Sequence, residues 1–168
     1  MTQDSRRLGI GLVGSGFNAG FHLQAFRAVR DADVRGVWSP NLENASRAAA
    51  RARALDVGDA RPFASLAEMA SDPAIEALWL TGPNHRRVEN VEEIVAAHER
   101  GRGNLRAIAC EKPLARNVAE AERIVALVRG AGLAHGYLEN QVFAPQVEAG
   151  RELAWKRGAR SSTAATWA

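Results

Sequence analysis

Gly14, Gly16 and Ala19 stand at the spacing G-x-G-x-x-[GA], and they follow the apolar run Leu8-Gly9-Ile10-Gly11-Leu12-Val13. Each type has a job in phosphate chemistry. Gly14 permits the tight turn out of a strand. Gly16 lets a pyrophosphate approach bare backbone. Ala19 is small enough for helix and strand to pack closely. The phosphates would sit at the N-terminus of the helix, where Phe17 and Asn18 are the first residues and the free N–H groups and helix dipole favour negative charge. The same residues serve as an ordinary turn in other α/β proteins. Their place between a strand and a helix near the start of the chain is what points to a dinucleotide.

Three further loops carry polar side chains suited to a ligand: Ser39-Pro40-Asn41, Thr81-Gly82-Pro83-Asn84-His85 and Glu111-Lys112-Pro113. The surrounding pattern predicts how they are positioned. Strands are expected at 7–13, 34–38, 75–80, 105–110 and 133–138, with a short one at 61–63. Helices are expected at 17–29, 42–55, briefly after Ser65, at 86–100 and from Val118 to about residue 129. Asn41, Ser65 and Asn117 have the chemistry of N-caps, and Glu68 and Glu120 sit three residues beyond the last two. Strands that alternate with helices predict a parallel sheet covered on both faces, hence an α/β, doubly wound Rossmann sheet. In such sheets ligands bind outside the carboxyl ends of the strands, where all four loops fall.

The chain has 168 residues, 46% hydrophobic and 24% charged, which suits a globular domain with its own core. The net charge of +3 is spread along the chain and gives no case for nucleic acid. Arg47, Arg51 and Arg53 lie in an alanine-rich helix and read as a solvated face. The single cysteine, Cys110, excludes an internal disulfide and a cysteine metal cluster, and makes a cytoplasmic setting the default. Its place inside a strand predicts a buried, inert thiol. No metal site, signal peptide or membrane-length apolar run is read from the chain.

Taken together, Gly14-Ser15-Gly16-Phe17-Asn18-Ala19 with His22, Thr81-Gly82-Pro83-Asn84-His85 and Glu111-Lys112-Pro113 resemble the N-terminal half of Gfo/Idh/MocA-type oxidoreductases, the glucose-fructose oxidoreductase and inositol dehydrogenase family. The resemblance covers about residues 7–150. It implies hydride transfer between NAD or NADP and a hydroxyl or keto carbon of a sugar or polyol. It implies that Lys112 is the catalytic lysine beside nicotinamide and substrate, where an ammonium can polarise a carbonyl or hold an alkoxide. It also implies that Glu111 touches the nicotinamide ribose and that Asn84 and His85 line the nicotinamide side. Thr81, Pro83 and Asn140 complete the implied cofactor-side set. His98 and His135 read as ordinary surface and strand positions.

Two departures from the family pattern matter. After Trp38, where an acid would bind the adenine ribose and favour NAD, the chain has Ser39-Pro40-Asn41, and Asp31 and Asp33 lie at the wrong end of the strand. Ser39 and Asn41, with Arg47 a turn later, leave room for a 2′-phosphate, so the expectation leans to NADP. The second departure is length. The family continues into a second α/β domain that carries a histidine acid/base. Here residues 1–140 read as an NAD(P)-binding domain, and 141–168 as the truncated start of the substrate domain. That start includes a helix from Pro145 bearing Val147, Leu153 and Trp155, then an aperiodic tail with Trp167 that looks like a truncated or frameshifted product. Two readings follow: an NAD(P)-dependent oxidoreductase whose chain is inactive alone, and a non-catalytic nucleotide-binding fragment. Both leave homo-oligomerisation open.

Overall fold

In a computed structural model describing residues 7–158, the glycine-flanked apolar run is a strand, β1 (Leu8–Val13). It leads into α1 (Phe17–Phe26), then β2 (Ala32–Trp38), α2 (Leu42–Ala54), β3 (Arg61–Phe63), α3 (Leu66–Ala70) and β4 (Ala77–Leu80). A 3-10 turn, Asn84–Arg86, precedes α4 (Arg87–Glu99), β5 (Ala107–Glu111), α5 (Val118–Gly130) and β6 (Ala134–Leu138). Every strand pairing is parallel, and the order across the sheet is β3-β2-β1-β4-β5-β6. This is the doubly wound Rossmann arrangement, with the direction of winding reversing between β1 and β4.

Two apolar layers sandwich the sheet. On one face Ile10, Leu12, Val34 and Val37 pack with Leu23 and Phe26 of α1 and Ala45, Ala48, Ala49 and Ala52 of α2. The alanines let α2 lie close, while Arg47 projects to solvent and pairs with Glu43. On the other face Val13, Leu78, Leu80, Ile108 and Cys110 pack with α3, with Val91, Ile94 and Val95 of α4, and with Ile124 and Val128 of α5. Burial on both faces explains why β4 and β5 are almost wholly apolar.

The caps form as expected. Asn41 accepts from the N–H groups of Glu43 and Asn44, Ser65 from Glu68, and Asn117 from Glu120. Several boundaries differ from expectation for local reasons. α1 ends at Phe26 and not 29, because Ala28 and Val29 donate to carbonyls three residues back, which tightens the last turn and releases the chain toward β2. β2 starts at Ala32, two residues earlier than expected, with Asp33 buried in the strand and paired to Arg7 and Arg35. β4 starts at Ala77 because Ile75 donates to Asp72 in the turn around Pro73. β5 runs to Glu111, which pairs with Leu138.

The chain divides into two compact units, Met1–Leu138 and Glu139–Ala168. The described part of the second holds a 3-10 turn, Asn140–Phe143, and α6 (Pro145–Lys156) with proline at its start. α6 has no buried residue, and Val147, Leu153 and Trp155 are all exposed. The expected aperiodic tail, Trp167 included, lies outside the described residues apart from Gly158. Among the described residues no helix is long and apolar enough to cross a membrane.

Candidate functional site

The turn after β1 is built around one backbone conformation. Gly14 sits at φ +118°, and a β-carbon there would lie 2.9 Å from the amide nitrogen of Gly82 and 3.0 Å from Thr81 Oγ1. Only glycine fits both the angle and the space. Gly16 is the N-cap of α1 at φ −79°, ψ −162°, and a β-carbon on it would meet no atom of the described residues within 4 Å. Among the described residues no side chain caps α1, and its first turn holds no acid. Its first internal hydrogen bond runs from Gly20 N–H to the Gly16 carbonyl, so the N–H groups of Phe17, Asn18 and Ala19 come before the ladder. The helix thus opens an uncapped, electropositive end beside bare backbone.

That end faces a cleft of about 910 Å³ outside the carboxyl ends of the strands, at the β1–β4 switch point. Gly14, Gly16, Phe17, Asn18, Ser39, Thr81, Pro83, Asn84, His85 and Lys112 all line it. Phe17 is 89% exposed, a bare aromatic ring at the mouth. Ser39 is buried, and its hydroxyl meets the Ser15 hydroxyl at 2.9 Å, tying the end of β2 to the glycine turn. Thr81 donates its hydroxyl to the Val13 carbonyl at 3.2 Å, and the backbone N–H groups of Thr81 and Gly82 donate to the same oxygen, so this residue joins β4 to β1. Lys112 is exposed, and its ammonium has no hydrogen-bond or ion-pair partner among the described residues.

Three expected residues are placed differently. The Asn41 side-chain oxygen is taken up by the α2 cap, and Asn41 is not among the cleft-lining residues. The Glu111 carboxylate meets His22 Nε2 at 2.8 Å with one oxygen and accepts from the Lys112 N–H at 2.9 Å with the other. It braces the lysine's backbone and is not among the lining residues. Asn140 belongs to the second unit, where it is exposed at the start of the 3-10 turn. His98 and His135 are ordinary helix and strand positions.

Sequence reasoning missed Arg87. Its side chain is buried at the start of α4, and its guanidinium donates to the carbonyls of Gly82, Glu111, Pro113 and Leu114. Burial holds its pKa below the usual arginine range, although Cys110, Glu111 and Tyr137 act to raise it. One signal was present in the sequence: residues 87, 91, 94 and 95 recur at the helical spacing of a core face, so a cation stood in an apolar stripe. Cys110 is buried, and desolvation pushes its thiol up to about 11, as expected of an inert cysteine.

A family model described as an oxidoreductase family with an NAD-binding Rossmann fold matches residues 8–137. The chain belongs to the Gfo/Idh/MocA oxidoreductase family. Among relatives, an uncharacterized oxidoreductase of Rhizobium meliloti is 38% identical over 93 residues, 55% of this chain and 24% of its own length. The scyllo-inositol 2-dehydrogenase (NADP(+)) of Bacillus subtilis is 25% identical over 122 residues, 73% of this chain and 34% of the relative. Among solved structures, the WlbA dehydrogenase of Bordetella pertussis, in complex with NADH and UDP-GlcNAcA, superposes with a TM-score of 0.73 at 25% identity, covering 91% of this chain and 43% of that one. The chain therefore spans about a quarter to two fifths of the length of these Gfo/Idh/MocA proteins.

Proposed function

We propose that the cleft binds NAD(P) and presents its nicotinamide beside Lys112, as the cofactor half of an oxidoreductase acting on a sugar or polyol. One observation carries this reading. The uncapped end of α1, with open space over Gly16, and the free ammonium of Lys112 line the same cleft. The donor set fits a dinucleotide. Amides at the α1 N-terminus would receive the pyrophosphate, Ser39 the adenine ribose, and Asn84 and His85 the nicotinamide side. A bound nicotinamide supplies hydride acceptance and donation. What the protein adds is charge at the reacting oxygen. Lys112 stands at the end of β5, close to backbone that Glu111 and His22 hold in place, and its ammonium stabilises an alkoxide or polarises a carbonyl.

We further propose NADP over NAD, because the residue that follows β2 is Ser39 and not a carboxylate that would repel a 2′-phosphate, and Asp33 is turned to Arg7 and Arg35. The sugar or polyol class is supported by the inositol dehydrogenase relative and the sugar-nucleotide complex of the WlbA dehydrogenase. Fluorescence titration of the chain with NADPH and NADH tests the core of the proposal: saturable binding of either supports it, and no binding of both at millimolar concentration refutes it.

A further inference from the structure

We infer that Arg87 is a positioning residue: its guanidinium clamps the loop after β4 to the loop after β5 and thereby sets where Lys112 stands in the cleft. This rests on the cofactor reading for its consequence, though not for its geometry. Arg87 is 2% exposed. Its Nη2 donates to the Gly82 carbonyl at 2.7 Å. Its Nη1 faces the carbonyls of Glu111, Pro113 at 2.5 Å and Leu114 at 3.3 Å. Lys112 lies between two of those anchored residues. A second brace comes from the other side, where Glu111 accepts from the Lys112 N–H and meets His22. A third comes from Asn84, whose side-chain amide donates to the Ala115 carbonyl at 3.3 Å.

The chemistry of the pocket asks for a planar fork of donors. Four carbonyl oxygens converge at the ends of β4 and β5: Glu111 is the last residue of β5, and Gly82, Pro113 and Leu114 lie in the loops beyond the strands. An apolar side chain would match the Val91–Ile94–Val95 face of α4 but leave buried carbonyls unsatisfied. A guanidinium offers five N–H groups in fixed geometry and reaches both loops at once. A lysine puts all its donors on one atom and cannot span from Gly82 to Leu114. The buried charge is offset by carbonyl dipoles, with no carboxylate bonded to it among the described residues, so the clamp works only while both loops stay in place.

The test compares wild-type chain with Arg87→Lys and Arg87→Gln, both of which keep a donor in the pocket. Amide hydrogen exchange without cofactor reads the clamp directly. Exchange of the Lys112 and Gly82 amides, bonded to the Glu111 carboxylate and the Val13 carbonyl, should speed up by about tenfold or more, while amides in the middle of β1 keep wild-type rates. Affinity then separates positioning from general damage. NADPH spans the whole cleft, whereas 2′,5′-ADP carries only the adenylate half. Because the clamp also holds the loop that carries Asn84 and His85 on the nicotinamide side of the cleft, the variants should lose about fivefold or more in NADPH affinity, more than loss of the Lys112 side chain alone would cost, and stay within about twofold for 2′,5′-ADP. Unchanged loop exchange, or equal losses for both ligands, overturns the positioning role. A wild type that binds neither ligand refutes the cofactor reading instead, and the exchange data still decide the clamp.

Discussion

Replacing Gly16 with valine should separate folding from binding cleanly. The backbone there is extended, at φ −79° and ψ −162°, and a β-carbon would meet no atom of the described residues within 4 Å. The structural cost is then confined to the cap, where a β-branched residue is worse than glycine by about 1 kcal/mol. For a chain of this length that lowers Tm by about 2–4 °C. The cost in binding is larger. In the proposed binding mode a pyrophosphate approaches the N–H groups of Phe17 and Asn18 through the open space over Gly16. Two charge-assisted hydrogen bonds at about 1.5 kcal/mol or more each amount to about 3 kcal/mol, or about 150-fold in Kd. Differential scanning fluorimetry and NADPH fluorescence titration on the same samples measure both effects. Gly14→Ala is the contrasting control. At φ +118°, with backbone 2.9 Å away, it should lose stability outright. A Gly16→Val chain that binds NADPH as tightly as wild type would refute the placement of the phosphates.

Other substitutions and pH changes probe the remaining parts of the site. Ser39→Asp puts a carboxylate beside the Ser15 hydroxyl and should move preference toward NAD by about tenfold, since like charges about 4 Å apart repel by about 1–4 kcal/mol; competitive titration of NADH against NADPH reads it, and a wild-type preference for NAD of about tenfold refutes the NADP lean. In a full-length family member carrying these motifs, Lys112→Ala should lower kcat by about 100-fold while cofactor Kd moves by less than about threefold; equal losses would make Lys112 a binding residue only. Cys110 should resist thiol reagents at pH 8 until the chain unfolds. Because its folded pKa, about 11, exceeds the ordinary value of 9.0, the protonated thiol favours the fold below pH 9 and that contribution fades as pH rises to about 11; Cys110→Ser should flatten this part of the stability profile measured by urea denaturation.

The fold was legible because its signals were local and periodic. The apolar β4 and β5 segments, the capping residues Asn41, Ser65 and Asn117, and the glycine turn each act within a few residues, and the alternation of elements leaves few topologies. Boundaries were less legible. Where α1 stops depends on when the chain must turn to reach β2, and that is set by the sheet and not by residues 27–29. The cleft-lining residues were readable through the rule that loops at the carboxyl ends converge. What each does with its hydrogen bonds was not. Asn41 had the chemistry for a ribose contact and for a cap, and the nearby N–H groups of Glu43 and Asn44 took its oxygen.

The same competition explains Glu111 and Arg87. A carboxylate at the end of a strand next to a lysine suggests an ion pair, but the side chain is drawn to His22, 89 positions earlier in sequence, and to the N–H of its neighbour. Nothing in the spacing of Glu111-Lys112-Pro113 encodes a partner on α1. Arg87 is the converse case. Its neighbours on the helix face announced burial, yet a buried guanidinium needs acceptors, and the four it found come from loops far apart in sequence. Sequence periodicity reports which face of an element is covered. It does not report which backbone groups a fold leaves unpaired at the ends of its strands, and at a parallel sheet's carboxyl edge those groups decide how the loops, and the lysine among them, are held.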